Sequence, residues 1–86
     1  MAAVALSPFV VVTETEDGMV FLNKRTRRYW QLNGTGSEIL RLLLNGETEE
    51  SAANKIHEKY ANGVDHVLSD VHDLVRHLRT AELIVR

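Results

Sequence analysis

The stretch Arg28-Tyr29-Trp30-Gln31-Leu32, followed at once by Asn33-Gly34-Thr35-Gly36-Ser37-Glu38, decides how the chain divides. Its first five residues read as a strand, because aromatic and bulky side chains suit a pleated, half-buried surface. Gly34 and Gly36 mark a tight strand-to-helix turn. Thr35-Gly36-Ser37-Glu38 matches a capping box, in which the Thr hydroxyl and the Glu carboxylate each satisfy an orphan backbone N–H, with Ser37 as a competing cap. Strand chemistry ends near Asn33 to Gly36, and helix chemistry begins there.

Upstream, Phe9 to Glu14 is almost wholly β-branched and aromatic and reads as a first strand. Thr15-Glu16-Asp17-Gly18 supplies a turn, Met19 to Asn23 a second strand, and Lys24 to Arg27 a second polar turn. The expected sheet is a three-stranded antiparallel meander whose outer strands are edges with unpaired backbone groups. Residues 1–7 are expected as a loose arm ahead of one domain spanning 8–86. The apolar N-terminus lacks the basic region of a secretory signal and is split by Pro8, so a cytoplasmic location is expected.

Downstream, Ile39, Leu40, Leu42, Leu43 and Leu44 make a first helix apolar nearly all round, stopped by Asn45-Gly46. Thr48 caps a second helix with Glu49 and Glu50 in its first turn, where carboxylates oppose the positive end of the dipole. Ala52, Ala53, Ile56 and Tyr60 recur at helical spacing, and Asn62-Gly63 is its expected end. A third helix, starting at Val64 or Asp65, carries Val64, Val67, Leu68, Val71, Leu74, Val75 and Leu78 on one broad face. Leu83-Ile84-Val85 reads as an extended tail docked on the core. The order is α+β: a three-stranded antiparallel sheet followed by three helices, similar to a winged helix-turn-helix.

With 86 residues, 44% of them apolar, and a net charge of -2, the chain fits one small domain. Area scaling gives about 14,000 Å² exposed in the unfolded chain and about 5,000 Å² in the folded one, so the core is thin. A separate lid or substrate domain does not fit, which disfavours a self-contained enzyme. The absence of cysteine removes thiol nucleophiles, thiolate zinc sites and disulfides. No apolar run approaches the ~20 residues needed to cross a bilayer.

Polar clusters add little chemistry. His72 and His77, five apart on one helix, point about 140° from each other and do not share an ion easily. His57 and His66 stand in polar surroundings, and no metalloprotease or calcium-loop pattern is present. Ser37, Ser51 and Ser69 lack a nucleophile elbow, and Gly34-Thr35-Gly36 lacks the Lys-Ser/Thr pair of a phosphate loop. No catalytic residue, metal or cofactor is expected. A small hydrolase remains only as a different-class alternative.

The basic cluster Lys24, Arg25, Arg27 and Arg28 has three readings: a solvated turn, a wing that tracks DNA phosphates, or a docking surface for an acidic peptide or protein. Asp65, Asp70 and Asp73 on the candidate recognition helix oppose the DNA reading. The third strand also stays open. Alternation places Arg28, Trp30 and Leu32 on one face and Tyr29 and Gln31 on the other. An exposed edge with aromatic surface suits strand addition by an extended peptide. Trp30 and Leu32 are either core or groove.

Taken in order, Arg28-Tyr29-Trp30-Gln31-Leu32-Asn33-Gly34-Thr35-Gly36, Ile39-Leu40, Leu43-Leu44, Gly46, Asp70-Val71 and the closing Leu83-Ile84-Val85 resemble the PqqD-like family of precursor-peptide recognition elements for ribosomally made, modified peptides. The likeness is greatest to stand-alone members of lasso-peptide gene clusters, and it covers Phe9 to Val85. Gly34 departs from the Pro expected in many relatives.

The resemblance implies no catalysis and no cofactor. It implies a protein that binds the precursor's leader as a fourth antiparallel strand on the third strand. Precursor is then passed to a transglutaminase-like leader peptidase and to an asparagine-synthetase-like cyclase. A Tyr-x-x-Pro leader element is expected to place its ring in an apolar pocket. Carried onto this chain, the strand side of the site is Arg28, Tyr29, Trp30, Gln31 and Leu32, and the helix side is Val67, Asp70, Val71, Leu74 and Val75. Whether each helix residue meets peptide or core is open, as is Asp70 between a leader contact and a solvated acid. A recognition element of another modified-peptide pathway, including pyrroloquinoline quinone biosynthesis, is the nearest alternative.

Overall fold

The computed structural model describes residues 4–60 and 67–85. Its elements run β1 (Ala5–Leu6), β2 (Val10–Thr15), β3 (Gly18–Asn23), β4 (Arg28–Leu32), α1 (Gly34–Leu44), α2 (Glu49–Lys59), α3 (Val67–Thr80) and β5 (Ile84–Val85). The expected meander is β2-β3-β4, antiparallel throughout, with β2 and β4 at its edges. The α+β order of sheet and then helices is as the sequence predicts.

Register sorts the side chains. Val12, Phe21 and Trp30 lie in one cross-strand row on the inner face, where Phe21 is fully buried. Val11, Leu22 and Tyr29 form the next row, on the outer face. The helices cover the inner face: Ile39, Leu40 and Leu43 of α1, Ala52 and Ile56 of α2, and Val71, Val75 and Leu78 of α3 meet Met19, Phe21 and Leu32 in one core.

The arm expected over residues 1–7 is not loose at Val4 to Ser7. Val4 joins the core, Ala5–Leu6 pairs antiparallel with Ile84–Val85, and the Ser7 N–H donates to the Leu83 carbonyl at 3.0 Å. The C-terminal tail, expected to dock, offers its own unpaired edge, and the N-terminal segment satisfies it. Strand β2 also begins one residue later than expected and runs to Thr15.

The start of α1 differs as well. Asn33, not Thr35, is the N-cap: its Oδ1 accepts from the Gly36 N–H at 2.8 Å, and the first helical bond runs from the Ser37 N–H to the Asn33 carbonyl. Strand β4 ends at Leu32, so the chain must turn two residues before the expected cap, and Asn is as good a cap as Ser or Thr. Ser37 is thereby buried inside the helix, and Glu38 is released for contacts with α2. Thr48 caps α2 as expected, with its hydroxyl accepting from the Ser51 N–H at 3.0 Å. The expected end of α2 at Asn62-Gly63 and the start of α3 at Val64 or Asp65 lie outside the described residues.

Candidate functional site

The free edge of β4 can be resolved rung by rung. Glu16 and Asp17 form a two-residue turn, so Thr15 and Gly18 are a hydrogen-bonded pair, and β3 residues 18, 20 and 22 point their backbone groups toward β2. Residues 19, 21 and 23 therefore point toward β4 and engage Leu32, Trp30 and Arg28. The donation from the Arg27 N–H to the Asn23 carbonyl agrees with this phase. Tyr29 and Gln31 are left with their N–H and C=O groups directed outward. An added strand would find its hydrogen bonds there.

Two cavities flank this ladder, an upper one at its Arg28 end and a lower one at its Leu32 end. One, of about 280 Å³, lies between Arg28, Tyr29 and Trp30 on the strand and His77, Thr80, Ala81 and Leu83 at the end of α3. The other, of about 340 Å³, lies at the opposite end, where Gln31, Leu32, Asn33, Thr35, Gly36, Ile39 and Ile56 face Val67, Asp70 and Leu74. Helix α3 packs chiefly on α2 and leaves a groove beside β4.

All five expected strand residues meet this groove. Tyr29 is 71% exposed and Trp30 38%, so the Trp ring is neither core nor free surface, while Leu32 is buried and forms floor. On α3 the expected wall divides. Asp70 and Leu74 line the groove, and Val67, although buried, borders its lower cavity. Val71 and Val75 do not: at 0% and 1% exposed they stand behind the wall, in the core.

The wall also contains His77 and Ala81, which sequence reasoning passed over: with the expected Val67, Asp70 and Leu74 they are spaced by three, four, three and four, one stripe along α3 and the turn after it, and all border a cavity. The pattern was present in the sequence, but the apolar stripe of Val67, Val71, Val75 and Leu78 overlaps it and is stronger. Thr80, Leu83, the N-cap Asn33 and the α1 residues Thr35 and Gly36 were likewise missed, because they reach the groove only through tertiary packing.

Charge is unevenly distributed along the groove. Arg28 stands at one end and Asp70 at the other, and neither has an ion-pair partner among the described residues. The Glu38 and Glu47 carboxylates lie outside the groove, at the junction of α1 and α2. Glu38 accepts from Lys59 Nζ at 2.9 Å and from the Tyr60 hydroxyl at 2.7 Å, which holds its carboxyl below the usual range and raises both partners. Glu47 is lowered by Lys55 and Ser51. These contacts brace α1 and α2. Among the described residues no three His, Asp or Glu side chains gather as a metal site, and no helix is long and apolar enough to cross a membrane.

This geometry can hold an extended peptide by its backbone and two of its side chains. Two solved structures share this fold closely. One, described as lasso peptide synthetase B1 complexed with the leader peptide, is 31% identical over 99% of this chain and 100% of its own, with a TM-score of 0.90. The other, TbiB1 in complex with the TbiA(beta) leader peptide, is 33% identical over 93% of each chain, with a TM-score of 0.81. No curated protein matches the chain. The family model for coenzyme PQQ synthesis protein D matches residues 18–84, from β3 through to β5, and with it the β4 edge, the helices and the groove between them. The chain belongs to the PqqD family.

Proposed function

We propose that this protein binds the leader segment of a lasso-peptide precursor as a fourth antiparallel strand on β4, and that it acts as a recognition element without chemistry of its own. One observation carries the reading: the free rungs of Tyr29 and Gln31 lie between two side-chain cavities, in a chain about a third identical to two proteins solved with leader peptides. Main-chain hydrogen bonds supply affinity in such strand addition, and the cavities select side chains. The upper cavity, floored by Trp30 and Leu83, suits an aromatic ring. The lower one has an apolar floor and the Asp70 carboxylate at its rim, which suits a donor or a cation.

The bound precursor then passes in the cytoplasm to a separate transglutaminase-like leader peptidase and an asparagine-synthetase-like cyclase. The family description also favours a second reading, recognition of a peptide precursor of pyrroloquinoline quinone. Titration separates the two. The TbiA(beta) leader, or the leader of a short precursor encoded beside this gene, is expected to bind with a Kd of about 1 μM or tighter, near -8 kcal/mol. A pyrroloquinoline quinone precursor is expected to bind at least about tenfold more weakly, a difference of about 1.4 kcal/mol. Tighter binding of that precursor would favour the second reading, and failure of all these peptides to bind would overturn both.

A further inference from the structure

The basic turn between β3 and β4 is not used by the groove itself, yet it is firmly built. Asn23, 1% exposed, accepts on Oδ1 from the Arg25 and Thr26 N–H groups at 2.9 and 3.1 Å and donates from Nδ2 to the Glu82 carbonyl at 2.9 Å. The Arg27 N–H closes the turn on the Asn23 carbonyl at 2.7 Å and holds Arg27 at φ 61°. Asn or Gly adopts that left-handed backbone at lower cost. A cation sits where the backbone favours another residue. Arg25 is engaged with Glu82 and lies 5.8 Å over the Phe9 ring. Lys24, Arg27 and Arg28 are exposed and have no carboxylate partner among the described residues.

Topology places these cations at one end of a bound peptide. The sheet is antiparallel throughout, and a fourth strand continuing that pattern on β4 runs from the Leu32 end toward the Arg28 end. Whatever precedes the paired segment enters beside Asn33 and Asp70, and whatever follows it leaves over the basic turn. The groove has a carboxylate at its entrance and three cations at its exit.

We propose that Lys24, Arg27 and Arg28 form an extension subsite for acidic side chains in the precursor segment immediately C-terminal to the paired strand, and that this charge gradient sets the direction in which the peptide lies. The proposal rests on the leader-binding reading and adds to it a chemistry for the next stretch of peptide. An acidic peptide fits better than nucleic acid, because the exposed Asp70 at the other end of the groove, unpaired among the described residues, would repel a polyanion that runs along it past the turn.

The test uses the TbiA(beta) leader carrying a short run of aspartates, serines or lysines at its C-terminus, and a fourth peptide with the aspartates at its N-terminus. At low salt the C-terminal aspartate form is expected to bind about fivefold tighter than the serine form, since several exposed ion pairs act together. The lysine form is expected to be weakest, and N-terminal aspartates to give no gain. The advantage should fade toward 1 M salt, where the screening length falls to about 3 Å.

The double variant Lys24→Gln/Arg27→Asn is expected to melt no lower than the parent and to keep its affinity for the serine form while losing the discrimination. Equal binding of the C-terminal aspartate and serine forms overturns the subsite but leaves leader binding intact. A gain from N-terminal aspartates overturns the direction, and displacement of the peptide by duplex DNA would reassign the turn. Binding by none of the four peptides overturns the leader reading and this proposal together.

Discussion

Val71 and Leu74 lie one turn apart on α3 with different surroundings: Val71 is fully buried, and Leu74 borders the lower cavity. Their truncation should therefore separate folding from binding. Val71→Ala removes about two buried carbon groups and is expected to cost about 2 kcal/mol of stability in a urea titration. Leu74→Ala is expected to cost less than about 1 kcal/mol in the same titration, yet weaken leader binding about tenfold. The glycines at the base of the site form a second contrast. A Cβ on Gly18, at φ 157°, would collide with the Leu32 carbonyl oxygen, so Gly18→Ala must push β4 away and is expected to cost about 3 kcal/mol. Gly34 is the first residue of α1, and the extended Asn33 before it, at φ -74° and ψ -179°, is compatible with a following proline. Gly34→Pro is thus expected to raise stability by about 0.5 kcal/mol, through a less free unfolded chain, and to leave leader affinity unchanged.

Strand β4 and the helix pair α1–α2 show how elements divide the tasks. If Tyr29 and Gln31 hold the free rungs of β4, Gln31→Pro deletes one donor while Gln31→Ala leaves the ladder whole. The proline variant is expected to lose leader binding by at least about a hundredfold with its helical circular dichroism retained, and the alanine variant to stay within about threefold. Strong binding by the proline variant would move the docking edge elsewhere. Between α1 and α2 the Glu38 carboxylate is held low by Lys59 and Tyr60. A lowered folded-state pKa contributes stability above the unfolded value that is lost as pH falls through the folded one, so this tie loosens in the acid range below about pH 4.5. The partners act oppositely: Lys59 and Tyr60 are raised, so their contribution is complete below their unfolded values and is lost as pH rises through the folded ones, on the alkaline side. Glu38→Gln is expected to flatten both limbs of the stability profile. Lys59 is exposed and Glu38 half-buried, so solvent screens the pair, the change is small and it needs denaturant titrations across pH to be seen.

At the scale of the whole molecule, local signals made the meander and three helices legible, because turn chemistry, β-branched runs and helical spacing all act within a few residues. The β4 edge was legible for the same reason, since a strand that ends a meander must be one. What stayed hidden depends on tertiary packing. The pairing of Ala5–Leu6 with Ile84–Val85 joins the two ends of the chain, and two-residue strands carry no periodicity to read. The rotation of α3 that puts Asp70 and Leu74 in the groove and Val71 and Val75 behind it follows from the neighbours of that helix, not from its own pattern.

A thin domain with an open sheet edge should owe much of its working stability to the strand that closes the edge. A ligand that binds only the folded state stabilises it by RT ln(1 + [L]/Kd), about 2.7 kcal/mol at a hundred times Kd. In a domain of this length each kcal/mol moves the melting temperature by roughly 4–8 °C, so saturating leader is expected to raise it by about 10–20 °C. The same addition should leave Gln31→Pro unmoved, because the gain comes from rungs that this variant has lost. Hydrogen exchange locates the effect: protection should rise first at the Tyr29 and Gln31 amides, whose N–H groups face outward in the free protein. A leader that bound tightly but left those two amides exchanging as before would be seated somewhere other than on β4.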